Sequence, residues 1–161
     1  MKKAALLRSR RHNRICARLL ARLEMALEPP CAAFSSDQKV FVPASGNFVY
    51  PDATVVCGRV ELHDLSPDVI TNPRFVGEVL SKSTEQHDRG DKWQDYRSIR
   101  SLTDYVLVSQ RVARLEHFAR DTDGSWRYRA FGIGERLELT TGAVLVVDEL
   151  FEGMFEVPGD G

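Results

Sequence analysis

The sequence predicts an α/β fold of the mixed α+β kind, with a central, mostly antiparallel or mixed sheet flanked by helices. Three observations carry that prediction. Residues 4–27 repeat apolar side chains at helical spacing. Several short runs between residues 38 and 149 are apolar or alternate over strand-like lengths. One later segment, about 84–99, returns to helical spacing and interrupts the strands. With 161 residues, the chain is expected to form a single domain over 1–161.

In the first helix, Ile15, Leu19, Leu20, Leu23 and Leu27 recur at spacings of three and four, and arginines fill the opposite face. "EPP" at 28–30 ends it. "QKVFVPA" (38–44) and "NFVYPDATVVC" (47–57) read as two strands of a hairpin joined through "SG". Residues 58–72 are polar and read as a loop. "RFVGEVLS" (74–81) follows Pro73 and reads as a buried strand. Ser83 or Thr84 can cap the next helix, whose face carries Lys92, Trp93, Tyr96 and Ile99. "DYVLVSQ" (104–110), "VARLEHFAR" (112–120) and "WRYRAFG" (126–132) read as strands, the last two around the turn "DTDG". "RLELTT" and "AVLVVDELF" close the series, the second with a short helix at its end.

Charge is balanced overall, 22 Lys plus Arg against 23 Asp plus Glu, so nothing global drives the chain to a polyanion. The distribution is uneven. Residues 1–22 hold Lys2, Lys3, Arg8, Arg10, Arg11, Arg14, Arg18 and Arg22 and no acid, a patch suited to phosphates or to solvent. Cys16, Cys31 and Cys57 are odd in number and widely spaced, which argues against a disulfide framework or a cysteine-rich zinc site and for reduced thiols. No apolar run reaches the ~18–20 residues of a membrane span, and no secretory apolar core follows the basic start. A cytoplasmic protein is expected.

Two carboxylates stand out because strands rarely bury an acid without pairing it or binding a cation. Asp52 lies near the start of "VYPDATVVC", and Glu78 sits in the middle of "FVGEVLS". If these strands pair, the two side chains can converge at ~4.5–5.5 Å. Like charges at that range favour a hard divalent ion, Mg²⁺ or Mn²⁺, which would polarise a phosphoryl oxygen and activate water. Lys92, on the helix after the Glu78 strand, is the candidate to orient that water. Asp88 and Tyr96 lie one turn either side of it on the same face.

The ordered set "YPDATVV…FVGEVLSKST…HDRGDKWQDYRSI…TDYVLVS" resembles the Uma-type restriction endonuclease family, a bacterial branch of the PD-(D/E)XK nuclease superfamily. In that family a Pro-Asp opens a strand, Glu-Val-Leu-Ser follows, then a Ser-Thr stretch, and then Asp, Lys and Tyr on a helix. Pro51-Asp52, Glu78 to Ser81, Ser83-Thr84, Asp88, Lys92 and Tyr96 match that order. The resemblance covers roughly residues 12–150. It implies a restriction-endonuclease-like core, Mg²⁺ at Asp52 and Glu78, and hydrolysis of nucleic-acid phosphodiesters, with DNA the expected partner. A homodimer would suit cuts in both strands. Three departures accompany it. Leu80 stands where the superfamily has its lysine, so Lys92 is expected to supply that group. A family segment resembling "YELIDGE" is not found ahead of "MKKAALLRSRRHNRI", and His12 stands where the family has a His. Ser109 replaces the Asp that ends the family's "EYW(L/I)VD" strand.

Plainer readings exist for each residue. Asp52 can be a strand-edge acid beside Pro51, and Glu78 half of a structural ion pair with Lys92 or Arg97. Asp88 can be an acid that complements a helix dipole, and Asp91 another. Tyr96 and His12, candidates for substrate contact, can instead pack or cap. The competing functional class is a nuclease-fold remnant that binds DNA or protein without cleaving.

Overall fold

The computed structural model of the chain describes residues 9–81 and 85–155. Helix α1 (Arg10–Ala26) opens it, capped by Ser9, whose Oγ accepts from the His12 amide at 3.0 Å. The basic residues Lys2, Lys3 and Arg8 lie outside the described residues. Strands β1 (Cys31–Phe34), β2 (Lys39–Val42), β3 (Asn47–Val49) and β4 (Ala53–Cys57) follow. Then come β5 (Leu62–His63), β6 (Ser66–Ile70) and β7 (Phe75–Val79), the short helices α2 (Glu85–Arg89) and α3 (Asp91–Tyr96), and β8 (Asp104–Val108). The chain continues through β9 (Leu115–Arg120), β10 (Trp126–Phe131), β11 (Arg136–Glu138), β12 (Val144–Val146) and α4 (Val147–Phe151).

A six-stranded mixed sheet, ordered β1-β4-β7-β8-β9-β10, forms the centre. Only β7 and β8 run parallel in it, joined by the crossover that carries α2 and α3; its other pairs are antiparallel. A four-stranded sheet, β3-β2-β6-β5, and the β11-β12 hairpin complete the strands.

Both faces of the central sheet are covered, which is why β7 and β8 read as continuous apolar runs. On one face Ile15, Leu19 and Leu23 of α1, fully buried, pack with Ala53, Val55, Phe75, Val79, Val106 and Val108. On the other, Tyr96, Ile99 and Leu102 pack with Val76, Leu80, Tyr105 and Leu107, joined by Val40 and Val42 of the smaller sheet. Alternation along β7 therefore sends Phe75 and Val79 toward α1 and puts Glu78, between Val76 and Leu80, on the α3 face. Gly77 lets α1 approach, since a Cβ there would lie 3.0 Å from the Phe75 ring and 3.3 Å from Leu19.

Four expectations are corrected. Residues 47–57 are not one strand: β3 joins β2, β4 joins β1 and β7, and Tyr50–Asp52 bridge two sheets. Pro51 has no N–H for a ladder, so the strand breaks there. Residues 58–72 are not a loop but contain β5 and β6; β6 pairs with β2 and β5 pairs with β6 as the sheet's edge, where polar side chains can face solvent. The helix read as 84–99 is two short helices broken at Gly90, the residue least suited to a helix interior apart from proline; the Ser83 and Thr84 cap lies outside the described residues. The thiols are not all reduced: Cys31 and Cys57 are direct partners in the β1–β4 register and are disulfide-bonded, and Cys16 stays a thiol. Their separation of 26 residues carries no local signature, because only the strand register makes them neighbours.

Candidate active site

The β4–β7 pairing ends at Ala53 opposite Gly77, and Asp52 and Glu78 are the residues just past that last pair. Both are nearly inaccessible, 4% and 1% exposed. Asp52 Oδ2 accepts from the Val79 amide at 2.8 Å, so the sheet's own backbone fixes that carboxylate. Glu78 Oε1 accepts from the Tyr96 hydroxyl at 2.7 Å and lies 3.3 Å from Lys92 Nζ. Lys92 and Tyr96 are one turn apart on α3, so a single helix face delivers a cation and a phenol to one oxygen. The Tyr96 ring is itself held against Tyr105, centroids 5.2 Å apart.

His12 comes from the other side of the sheet. It is buried on α1, with Nε2 3.2 Å from the Val79 carbonyl oxygen and 3.7 Å from Asp52 Oδ2. Asp88 is on α2, and its side chain lies outside the described residues. The packing thus gathers Asp52, Glu78, Lys92, Tyr96 and His12 around the last residues of β7. Arg97, the alternative partner considered for Glu78, instead lies over the Trp93 ring at 6.0 Å.

Reading the sequence residue by residue missed three features. Cys16 sits one turn from His12, with Sγ 3.5 Å from its Nδ1, and the i, i+4 spacing on a predicted helix was the available signal. Glu116 on β9 anchors α2. Arg89 Nη1 donates to its Oε1 at 2.6 Å and the Tyr128 hydroxyl donates to the same oxygen at 2.5 Å. Burial pushes the Glu116 carboxyl up, and the bonds from Arg89 and Tyr128 outweigh it and hold the group below the ordinary carboxylate value. Asp104, 0% exposed, accepts from the Thr140 amide at 3.1 Å and contacts His117 Nε2 at 2.7 Å. Nothing local marks that last cluster, which joins β8, β9 and the β11–β12 hairpin.

The crystal structure of a "putative nuclease belonging to DUF820" from Anabaena variabilis superposes with a TM-score of 0.75 over 92% of this chain and 84% of that one, at 12% identity. The likeness is one of fold. The chain belongs to the Uma2 family, "Putative restriction endonuclease", which matches residues 6–156. Two Synechocystis sp. proteins of uncharacterized function are related. The protein slr1290 is 34% identical over 125 residues, 77% of this chain and 65% of that protein. The protein sll1609 is 31% identical over 132 residues, 81% of this chain and 74% of its own length. The chain therefore spans just under two thirds of the first relative. Among the described residues no helix is long and apolar enough to cross a membrane.

Proposed function

We propose that the chain is a divalent-metal-dependent endonuclease that hydrolyses phosphodiester bonds of nucleic acid, with Asp52 and Glu78 as ligands for Mg²⁺ or Mn²⁺. The observation that carries this reading is two buried carboxylates at the end of β7, Asp52 bonded to the Val79 amide at 2.8 Å and Glu78, next to Val79 in the chain, with Lys92 Nζ 3.3 Å away. The donor set fits a hard cation: carboxylate oxygens held by the sheet, with an ammonium beside one of them. Membership of the Uma2 family supports the same reaction class.

When bound, the ion would supply Lewis-acid stabilisation of the phosphoryl oxygens and a lowered pKa for attacking water. The chain's own residues do the rest. Lys92 orients that water and offsets negative charge as it develops. Tyr96 holds Glu78 Oε1 in place, a positioning role in keeping with its 1% exposure. His12 contacts Asp52 and steadies it from α1. Asp88 is proposed as a substrate-binding residue. DNA is the proposed substrate, met in part by the exposed arginines of α1, Arg10 and Arg14.

Plasmid nicking decides the matter. Wild type should nick only with Mg²⁺ or Mn²⁺, and Glu78→Ala should not nick. Cleavage without added metal, or equal cleavage by the variant, overturns the reading. A second reading, a DNA-binding chain that does not cleave, is favoured by one observation: Lys92 and Tyr96 already compensate Glu78. Retarded DNA mobility with no nicking under either metal would establish it.

A further inference from the structure

We propose that His12, Cys16 and Asp52 form a binding site for a borderline divalent ion, Zn²⁺ or Co²⁺, that Mg²⁺ does not fill. The three residues come from elements that packing holds fixed. His12 and Cys16 are one turn apart on α1, whose Ile15, Leu19 and Leu23 are fully buried against the sheet. Asp52 is tied to the Val79 amide at 2.8 Å.

Distances favour a small, tightly coordinated ion. Cys16 Sγ lies 3.5 Å from His12 Nδ1 and 4.0 Å from Nε2, and Nε2 lies 3.7 Å from Asp52 Oδ2. One ligand atom from each of the three residues falls within 4.8 Å of the others. Metal–sulfur bonds of ~2.3 Å and metal–nitrogen or –oxygen bonds of ~2.0–2.2 Å place the ligand atoms of a tetrahedral site roughly 3.3–3.7 Å apart. The cluster needs little contraction to reach that geometry. Three protein ligands leave a fourth position for water, the pattern of an open zinc site. His12 and Asp52 are buried while Cys16 is half-buried, which gives the ion a way in.

Donor chemistry sets the selectivity. A thiolate and an imidazole suit Zn²⁺ and Co²⁺, whereas Mg²⁺ demands oxygen ligands in an octahedron. On binding, the Cys16 thiol gives its proton to solvent, and His12 Nε2 gives up its 3.2 Å contact with the Val79 carbonyl oxygen and presents its lone pair, with the ring proton on Nδ1. The Val79 amide stays bonded to Asp52 as outer-shell support. Where the proposed endonuclease reading also holds, Asp52 is shared between the two sites, and Zn²⁺ would inhibit the Mg²⁺ reaction by occupying it. Binding itself does not depend on that reading.

The test is a Co²⁺ titration of the full chain without reductant, so that Cys31 and Cys57 stay bonded. Wild type should bind one equivalent and show an intense near-ultraviolet thiolate-to-cobalt band. Cys16→Ser should abolish the band, and His12→Gln should weaken Co²⁺ binding at least about tenfold, with α1 intact by circular dichroism. Glu78→Gln should retain the band, and Mg²⁺ in large excess should not displace it. No band in wild type, a band that survives Cys16→Ser, or displacement by Mg²⁺ overturns the proposal. A normal cobalt band in a chain that fails to nick DNA would sink the endonuclease reading and leave this one standing.

Discussion

Two buried acids at opposite ends of the parallel β7–β8 pair have opposite surroundings. Asp104 lies across from Phe75 at the start of the pair, and Glu78 is three residues further along β7, roughly 10 Å away at strand rise. Asp104 is met by the Thr140 amide and hydroxyl, the Thr103 hydroxyl and His117, most of them short polar groups from the β11–β12 hairpin or the adjoining chain. That set fills its lone pairs and pins the hairpin to the sheet. Glu78 is met by a lysine and a tyrosine from one helix, and the amide of the next residue, Val79, binds a second acid, Asp52. A carboxylate saturated by hydroxyls and amides works as a latch. One held by a lysine and a tyrosine of a single short helix can exchange partners, and it sits toward the carboxyl ends of the parallel strands, where open sheets place their sites.

Substitutions should separate the two ends. The largest effect is expected on nicking activity. Glu78→Ala and Lys92→Met should each reduce metal-dependent nicking by on the order of 10²–10³-fold, read on a supercoiled plasmid. Tyr96→Phe should cost less, about 10–100-fold, because it removes only support for a ligand, and higher Mg²⁺ should recover part of the loss. Asp104→Ala should do the reverse, leaving nicking per folded molecule unchanged and lowering stability by about 3–5 kcal/mol, since it strips a buried partner from His117. A urea melt measures that loss. If Asp104→Ala abolishes nicking at unchanged stability, the latch and the site have been assigned to the wrong ends.

The same contrast explains what the sequence could convey. Glu78 announced itself because an acid between Val76 and Leu80 violates the local pattern. The β4–β7 pairing on which an approach of Asp52 to Glu78 depended is present, and it stops one residue short of Asp52. Asp104 violated nothing, because an acid at the first position of a strand is ordinary; only the fold brings it to Thr140, 36 residues away. The disulfide was hidden for the same reason, with register and not spacing making Cys31 and Cys57 partners. The sheet change at Pro51 and the break at Gly90 had visible causes, but apolar periodicity ran straight through both. Local rules report where a residue disagrees with its neighbours in sequence. Agreement reached through neighbours in space leaves no such mark.

Packing offers a smaller contrast between the two faces of β7. Gly77→Ala should destabilise by about 1–3 kcal/mol, because its methyl meets the Phe75 ring at 3.0 Å in a core that must shift to admit it. The effect should appear in the melting temperature and leave Lys92 and Glu78, on the opposite face, in contact. Loss of nicking beyond the loss of folded protein would mean that α1 and the site are coupled through the sheet.

The smallest effect tests how α2 is held over the site. Glu116 is pushed up by burial, but the bonds from Arg89 and Tyr128 more than offset that and keep its folded value below the unfolded one. A depressed carboxyl contributes stability above its unfolded pKa and loses that contribution as pH falls through the folded value. Wild type should therefore exceed Glu116→Gln in melting temperature at neutral pH, and the gap should close on acidification through the carboxylate range. Because Arg89 belongs to α2 and Glu116 to β9, the variant should also loosen α2 while α3 keeps Lys92 on Glu78, which amide exchange in residues 85–89 can detect. A gap that stays constant with pH would show that the α2 tether is steric and owes nothing to the charge on Glu116.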